Sequence, residues 1–134
     1  MPSIALDSGP AFALFDEGDR HHARVAAWID QVPAGALVTN VAVLTEVCYF
    51  LGPRARHFLA WIEEVVAVDE AVGQDLPRIR QFLADYEDQD VDLADASLVA
   101  MCERLRIRKV ATLDVRHFAV YRTSRGKAFE LVLT

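Results

Sequence analysis

Short apolar runs alternate with longer stretches of helical periodicity from one end of the chain to the other. This alternation restricts the possible folds more than any other feature, because strands that take turns with helices are best used side by side in a parallel sheet. The runs at 3–6, 36–39, 65–68, 109–113 and 129–133 read as strands, the last as an edge strand. Helices are expected over 10–15, 20–31, 41–51, 54–65, 71–86 and 93–105. Asn40 and Asp92 stand where N-caps belong, and Gly52-Pro53 is a stop signal. The expectation is therefore an α/β fold of three layers, with helices on both faces of a parallel sheet of about four to five strands. At 134 residues and 53% apolar, residues 1–134 are expected to form one domain with a core that needs no disulfide. Cys48 and Cys102 sit in apolar helical patterns as free thiols, which suits a reducing cytoplasm.

The apolar stretch 36–52 is too short for a membrane span, and Thr39, Asn40, Thr45 and Glu46 interrupt it. The N-terminus has no basic flank or long apolar segment of the signal-peptide kind, so a cytoplasmic protein is expected. A net charge of −6 argues against a protein that coats nucleic acid by bulk attraction. The charges are unevenly placed, however. Six acids fall between Asp85 and Asp95, and eight of the 14 Lys and Arg fall between Arg104 and Lys127. Arg104, Arg106, Arg108, Arg122 and Arg125 are thus candidates for meeting a polyanion.

In an open parallel sheet, sites form beyond the carboxyl ends of the strands. Asp7 follows SIAL, Asp114 follows KVATL, and Asp69 closes VVAVD. Each alone is equally readable as a turn residue. Glu46 is harder to place, since its helical neighbours are Ala42, Val43, Tyr49 and Phe50. A carboxylate on such a face calls for an arginine partner, an exposed position or a bound cation. Asp92 reads as a cap, whereas Asp95, three residues on, shares a face with Leu98, Val99 and Cys102. If Asp7, Glu46, Asp95 and Asp114 converge, their charges oppose one another unless a cation joins them. All-oxygen ligands favour Mg2+ or Mn2+, and no Cys/His cluster suggests zinc.

The succession LDSGP, TEV inside an apolar helix, DLADAS, TLDVRHF and then VYR and FEL, with HHARV after the first helix, resembles a PIN domain of the VapC-like toxin type. The resemblance runs over residues 4–133. It implies that Asp7, Glu46, Asp95 and Asp114 bind Mg2+ or Mn2+ and cut RNA by metal-activated water. It implies a homodimer and a cognate antitoxin as partners. Ser8 and Thr112 lie beside the acids as supporting hydrogen-bond groups, and Asp92 is a less secure member. Arg116 is placed either to steady a carboxylate or touch a phosphate, or to make a surface ion pair. His21, His22 and His57 read as surface residues. Two alternatives stay open: a PIN-like module that binds without cutting, and a receiver-type phospho-acceptor domain. The receiver type wants paired N-terminal acids and a lysine at the end of the last strand. A haloacid-dehalogenase-type phosphatase needs an Asp where this chain has Gly9.

Overall fold

The computed structural model describes residues 1–133. Among them, five strands form one parallel sheet: β1 (Ile4–Leu6), β2 (Leu37–Asn40), β3 (Ala67–Asp69), β4 (Lys109–Ala111) and β5 (Glu130–Leu131). Their order across the sheet is β3-β2-β1-β4-β5. The helices are α1 (Ser8–Leu14), α2 (His22–Ile29), α3 (Val41–Leu51), α4 (Ala55–Val65), α5 (Leu76–Asp85), α6 (Leu93–Leu105) and the short α7 (Val115–Phe118). A 3-10 turn at Gly52–Arg54 separates α3 from α4.

The strand order follows from the connections. From β1 the chain steps outward through β2 to β3, then returns across the sheet to β4 on the far side of β1. With right-handed crossovers this places α1–α4 over one face and α5 and α6 over the other. Helices of the first group contact one another, as do α5 and α6. β1 and β2 are central, and all four residues of β2 are buried. Fully buried side chains include Phe58, Phe82, Phe118, Tyr121, Leu98 and Met101. Each large apolar side chain removed from water contributes about 1.5–3 kcal/mol before entropy is counted.

Both expected N-caps form. Asn40 Oδ1 accepts from the Val43 N–H at 3.1 Å, and Asp92 Oδ1 accepts from the Asp95 N–H at 2.9 Å. Several boundaries differ from expectation. α1 starts at Ser8, since Pro10 in a first turn needs no N–H donor. α5 starts only at Leu76, after turns around Gly73. On α4 only Phe58 and Ile62, one helical turn apart, are buried; Leu59 is 40% exposed and Trp61 half-buried. Cys48 and Cys102 are free thiols. Among the described residues no helix is long and apolar enough to cross a membrane.

Candidate active site

The strand order reverses between β1 and β4, and their carboxyl ends diverge there into a cleft. Asp7 follows β1 and Asp114 lies three residues beyond β4. α3 brings Glu46 to the same place, and the first turn of α6 brings Asp95. All four carboxylates line one cleft of about 360 Å³, together with Ser8, Asp90, Asp92 and His117. The four acids come from four separated stretches of sequence, and the topology alone joins them.

Asp7 occupies the N-cap position of α1 in extended conformation, yet its side chain makes no cap hydrogen bond. Its Oδ2 accepts from Thr112 Oγ1 at 2.7 Å. Thr112 Oγ1 in turn accepts from the Asp114 N–H at 3.0 Å, so one buried hydroxyl ties the first acid to the fourth. Ser8 Oγ donates to Glu46 Oε1 at 2.5 Å. Tyr121 Oη donates to Asp95 Oδ2 at 2.9 Å. His117 Nδ1 contacts both oxygens of Asp114, at 2.9 and 3.0 Å. Among the described residues each acid is thus held by a neutral or titratable side chain, and none by an arginine.

The electrostatics reflect that choice. Burial pushes Asp7 up to about 6, with the negative fields of Glu46 and Asp114 adding to the rise and the Thr112 bond opposing it. Burial likewise raises Asp95 to about 7, helped by the nearby charge of Asp7. Burial also raises the Tyr121 hydroxyl well above its ordinary value, so it remains a donor. Among the described residues Asp7 Oδ1, which is buried, has no partner at hydrogen-bond geometry, although the Ser8 backbone N–H lies near enough to the carboxylate to oppose the rise in its pKa. An unpartnered carboxylate oxygen among other acids is what a hard, oxygen-seeking cation satisfies. The donor set therefore fits Mg2+ or Mn2+, although among the described residues no three such groups stand as close as the ligands of a single ion.

Glu46 departs from the sequence reading in one respect. Its helix buries a stripe of Val43, Val47 and Leu51, while Tyr49 is 80% and Phe50 63% exposed. Glu46 sits half-buried at the margin of that stripe, with a serine for a partner where an arginine was one alternative. Asp92 is the exposed cap of α6 and faces the same cleft. Arg116 is exposed and lies outside the cleft lining. Asp69 is engaged by Arg104, which also grips Asp75; this removes Arg104 from the candidates for meeting a polyanion. His57 is exposed, while His22 is half-buried with Nδ1 2.8 Å from the Ala13 carbonyl.

Sequence reasoning missed Tyr121, His117 and Asp90. A polar residue three places after Asp114, able to reach back over the first turn, was the available signal for His117. Asp90, at positive φ in a loop, gives no periodic signal at all.

Comparison with known proteins gives a consistent answer. The family model described as PIN domain matches residues 4–123. The chain is 29% identical over 135 residues to Ribonuclease VapC26 of Mycobacterium tuberculosis, a match that spans 96% of this chain and 99% of the relative. Its fold is similar to that of M. tuberculosis VapC20, a toxin that cleaves the sarcin-ricin loop, with a TM-score of 0.76 at 24% identity over 84% of this chain and 90% of the other. It is also similar to a toxin-antitoxin complex chain from Klebsiella pneumoniae, with a TM-score of 0.66 at 17% identity over 88% and 92% of the two chains.

Proposed function

The chain belongs to the PIN-domain family, and from that premise we propose that it is an endoribonuclease toxin of the VapC type, dependent on Mg2+ or Mn2+. The observation that carries the reading is Asp7: a buried carboxylate with one oxygen fixed by Thr112 and the other unpartnered, facing a cleft shared with Glu46, Asp95 and Asp114. These four acids are the proposed metal-binding and catalytic residues. A divalent ion bound there would supply the positive charge that makes water nucleophilic at neutral pH and relieves charge on the phosphodiester.

The chain's own groups would do the rest. Thr112 orients Asp7 by holding Oδ2, and Oδ1 would be the oxygen left to hold the ion. Ser8 holds Glu46, and Tyr121 holds Asp95, each fixing one oxygen and freeing the other. His117 keeps Asp114 in place at the more open side of the cleft. Asp92 orders the first turn of α6 and so positions Asp95.

A cognate antitoxin and a second copy of the chain are the proposed protein partners, in a cytoplasmic setting. Val41, Tyr49 and Leu93 line a groove of about 590 Å³ that shares Glu46 and Asp92 with the acid cleft. A protein seated on that groove would reach the site itself. The fold likeness to a chain of a toxin-antitoxin complex supports an antitoxin as partner, and the choice of this groove rests on its exposed apolar side chains.

Freed of any bound antitoxin, the protein should cut RNA with Mg2+ or Mn2+ and stop on chelation. Asp7→Asn, Glu46→Gln and Asp95→Asn should each reduce cutting by at least about a thousandfold while the far-UV spectrum is kept. Undiminished cutting in those variants, or in chelator, would overturn the assignment. Metal-loaded protein that binds RNA without cutting it would favour the non-catalytic module instead. The receiver-type alternative has lost support, since a receiver sheet follows the order 2-1-3-4-5 and this one does not.

A further inference from the structure

The exposed cations of the last third of the chain do not gather at the acid cleft. They gather around the amino end of β4. Arg106, Ile107 and Arg108 line two adjoining grooves. The larger, of about 570 Å³, also takes in Arg125 and Lys127 from the turn before β5. The smaller, of about 450 Å³, takes in Lys109 and the backbone ahead of β1. Among the described residues, Arg106, Arg108, Lys109, Arg125 and Lys127 have no carboxylate at ion-pair distance. Glu103, at the same place, is already bound by Arg78. Glu130 lines the smaller groove and stands opposite Lys109 in the sheet register. Even so, five cations without an ion-pair partner among the described residues leave this region net positive on a chain of net charge −6, and call for an external anion.

We infer that these adjoining grooves are a landing surface for the phosphate backbone of a long or folded RNA, whose scissile segment reaches the acid cleft at the other end of the sheet. The inference takes RNA as the ligand from the ribonuclease reading. Charge complementarity favours phosphate over an acidic protein segment, because a protein partner also needs apolar anchors. Leu105, at 38% exposure, is the modest apolar side chain here, whereas the strongly exposed Val41, Tyr49 and Leu93 border the acid cleft. The arrangement separates two conflicting demands. Four carboxylates keep the cleft from attracting RNA unless a divalent ion is bound there, and the grooves would add attraction that does not depend on that ion.

Reach sets the size of the ligand. Lys109 and Thr112, which stands level with Asp7, are three strand positions apart, or about 10 Å at ~3.3 Å per residue. A dinucleotide held in the cleft, with its single internucleotide step, therefore stops short of the grooves, while a stem-loop of about twenty-five residues reaches them.

The test measures binding of these two RNAs to the full-length protein with Ca2+ replacing Mn2+, as a function of salt. The variant is Arg106→Asn, Arg108→Gln, Arg125→Gln and Lys127→Gln combined; asparagine at position 106 suits its positive φ. The longer RNA should bind at least about tenfold more weakly, and the slope of log K against log salt should flatten by about three. The dinucleotide should bind within about twofold of the unaltered protein. If the combined variant does not fold, Arg108→Gln with Lys127→Gln should give about half the change in slope. An unchanged slope for the long RNA overturns the inference, as does an equal loss for both RNAs. Competition by polyglutamate as effective as by RNA also overturns it, in favour of an acidic protein ligand. If the protein binds the long RNA through the grooves yet cuts nothing when Mn2+ is restored, the ribonuclease reading fails and the landing surface stands.

Discussion

Helix α6 carries a participant in each of two carboxylate clusters, and the clusters are resolved in opposite ways. Near its end, Arg104 answers Asp69 and Asp75 at once, with Nε 2.9 Å from Asp75. Asp69 is consequently held below the ordinary carboxylate range, chiefly by its bond to that guanidinium. Near its start, Asp95 faces Asp7 with a tyrosine hydroxyl for company, and both acids are raised by burial and by other carboxylates. The same helix thus shows that the chain neutralises acids internally where structure alone is at stake. At the cleft it leaves them without an arginine among the described residues, as the proposed metal site requires. The contrast separates a stabilising cluster from the proposed functional one more sharply than counting acids does.

The largest test of the contrast is pH. Asp7 has a folded-state value of about 6 against an ordinary 3.8, so the folded chain holds a proton that the unfolded chain has released. Stability from this group is complete below pH ~4 and lost as pH rises to ~6, a change of order 3 kcal/mol. Asp95 extends the window toward 7. In chelator, thermal unfolding should therefore move to lower temperature between pH 4 and 7. Added Mn2+ should reverse the loss at pH 7 and do little at pH 4.5. Equal stabilisation by Mn2+ at both values would break the distinction between the clusters.

Thr112→Val probes the cleft at nearly constant shape. It removes the hydroxyl that joins Asp7 to the Asp114 backbone, and RNA cutting should fall by about 10–100-fold. The Mn2+ concentration needed for half-maximal rate should rise alongside. Unaltered metal dependence would mean that Thr112 serves packing only. Arg104→Ala probes the other cluster. It leaves Asp69 and Asp75 without their partner and should cost about 1–2 kcal/mol in denaturant unfolding, with the cutting rate per folded molecule unchanged. A loss of cutting in proportion to the remaining acids would show the two clusters to be coupled.

Most of the layer structure was readable from sequence because strand-like runs, helical periodicity and two N-caps agreed with one another. Asn40 and Asp92 cap the helices expected of them. Asp7 was legible because an acid directly after a buried strand is conspicuous, and Asp114 because it closes the apolar run KVATL, although β4 itself ends three residues earlier. Glu46 drew attention for a partly mistaken reason: its helix is apolar on more sides than the one it buries, so the glutamate is at a margin and not in the core. Tyr121 was illegible. Its ring packs among Phe82, Tyr86 and Phe118 like any core aromatic, and only the three-dimensional approach of Asp95 gives its hydroxyl a purpose. The cations of the last third were visible as a group, but only the sheet register separates Arg108 and Lys109 from the acids that follow them.

The return of the chain from β3 to β4 has a consequence for how such a protein is made. Asp7 is made more than a hundred residues before Asp114, yet the two meet only when β4 docks beside β1, and Tyr121 comes later still. A nascent chain interrupted anywhere before that docking carries half a cleft. For an enzyme whose proposed target is RNA, the ribosome that builds it is thereby spared until β4 has been made and docked.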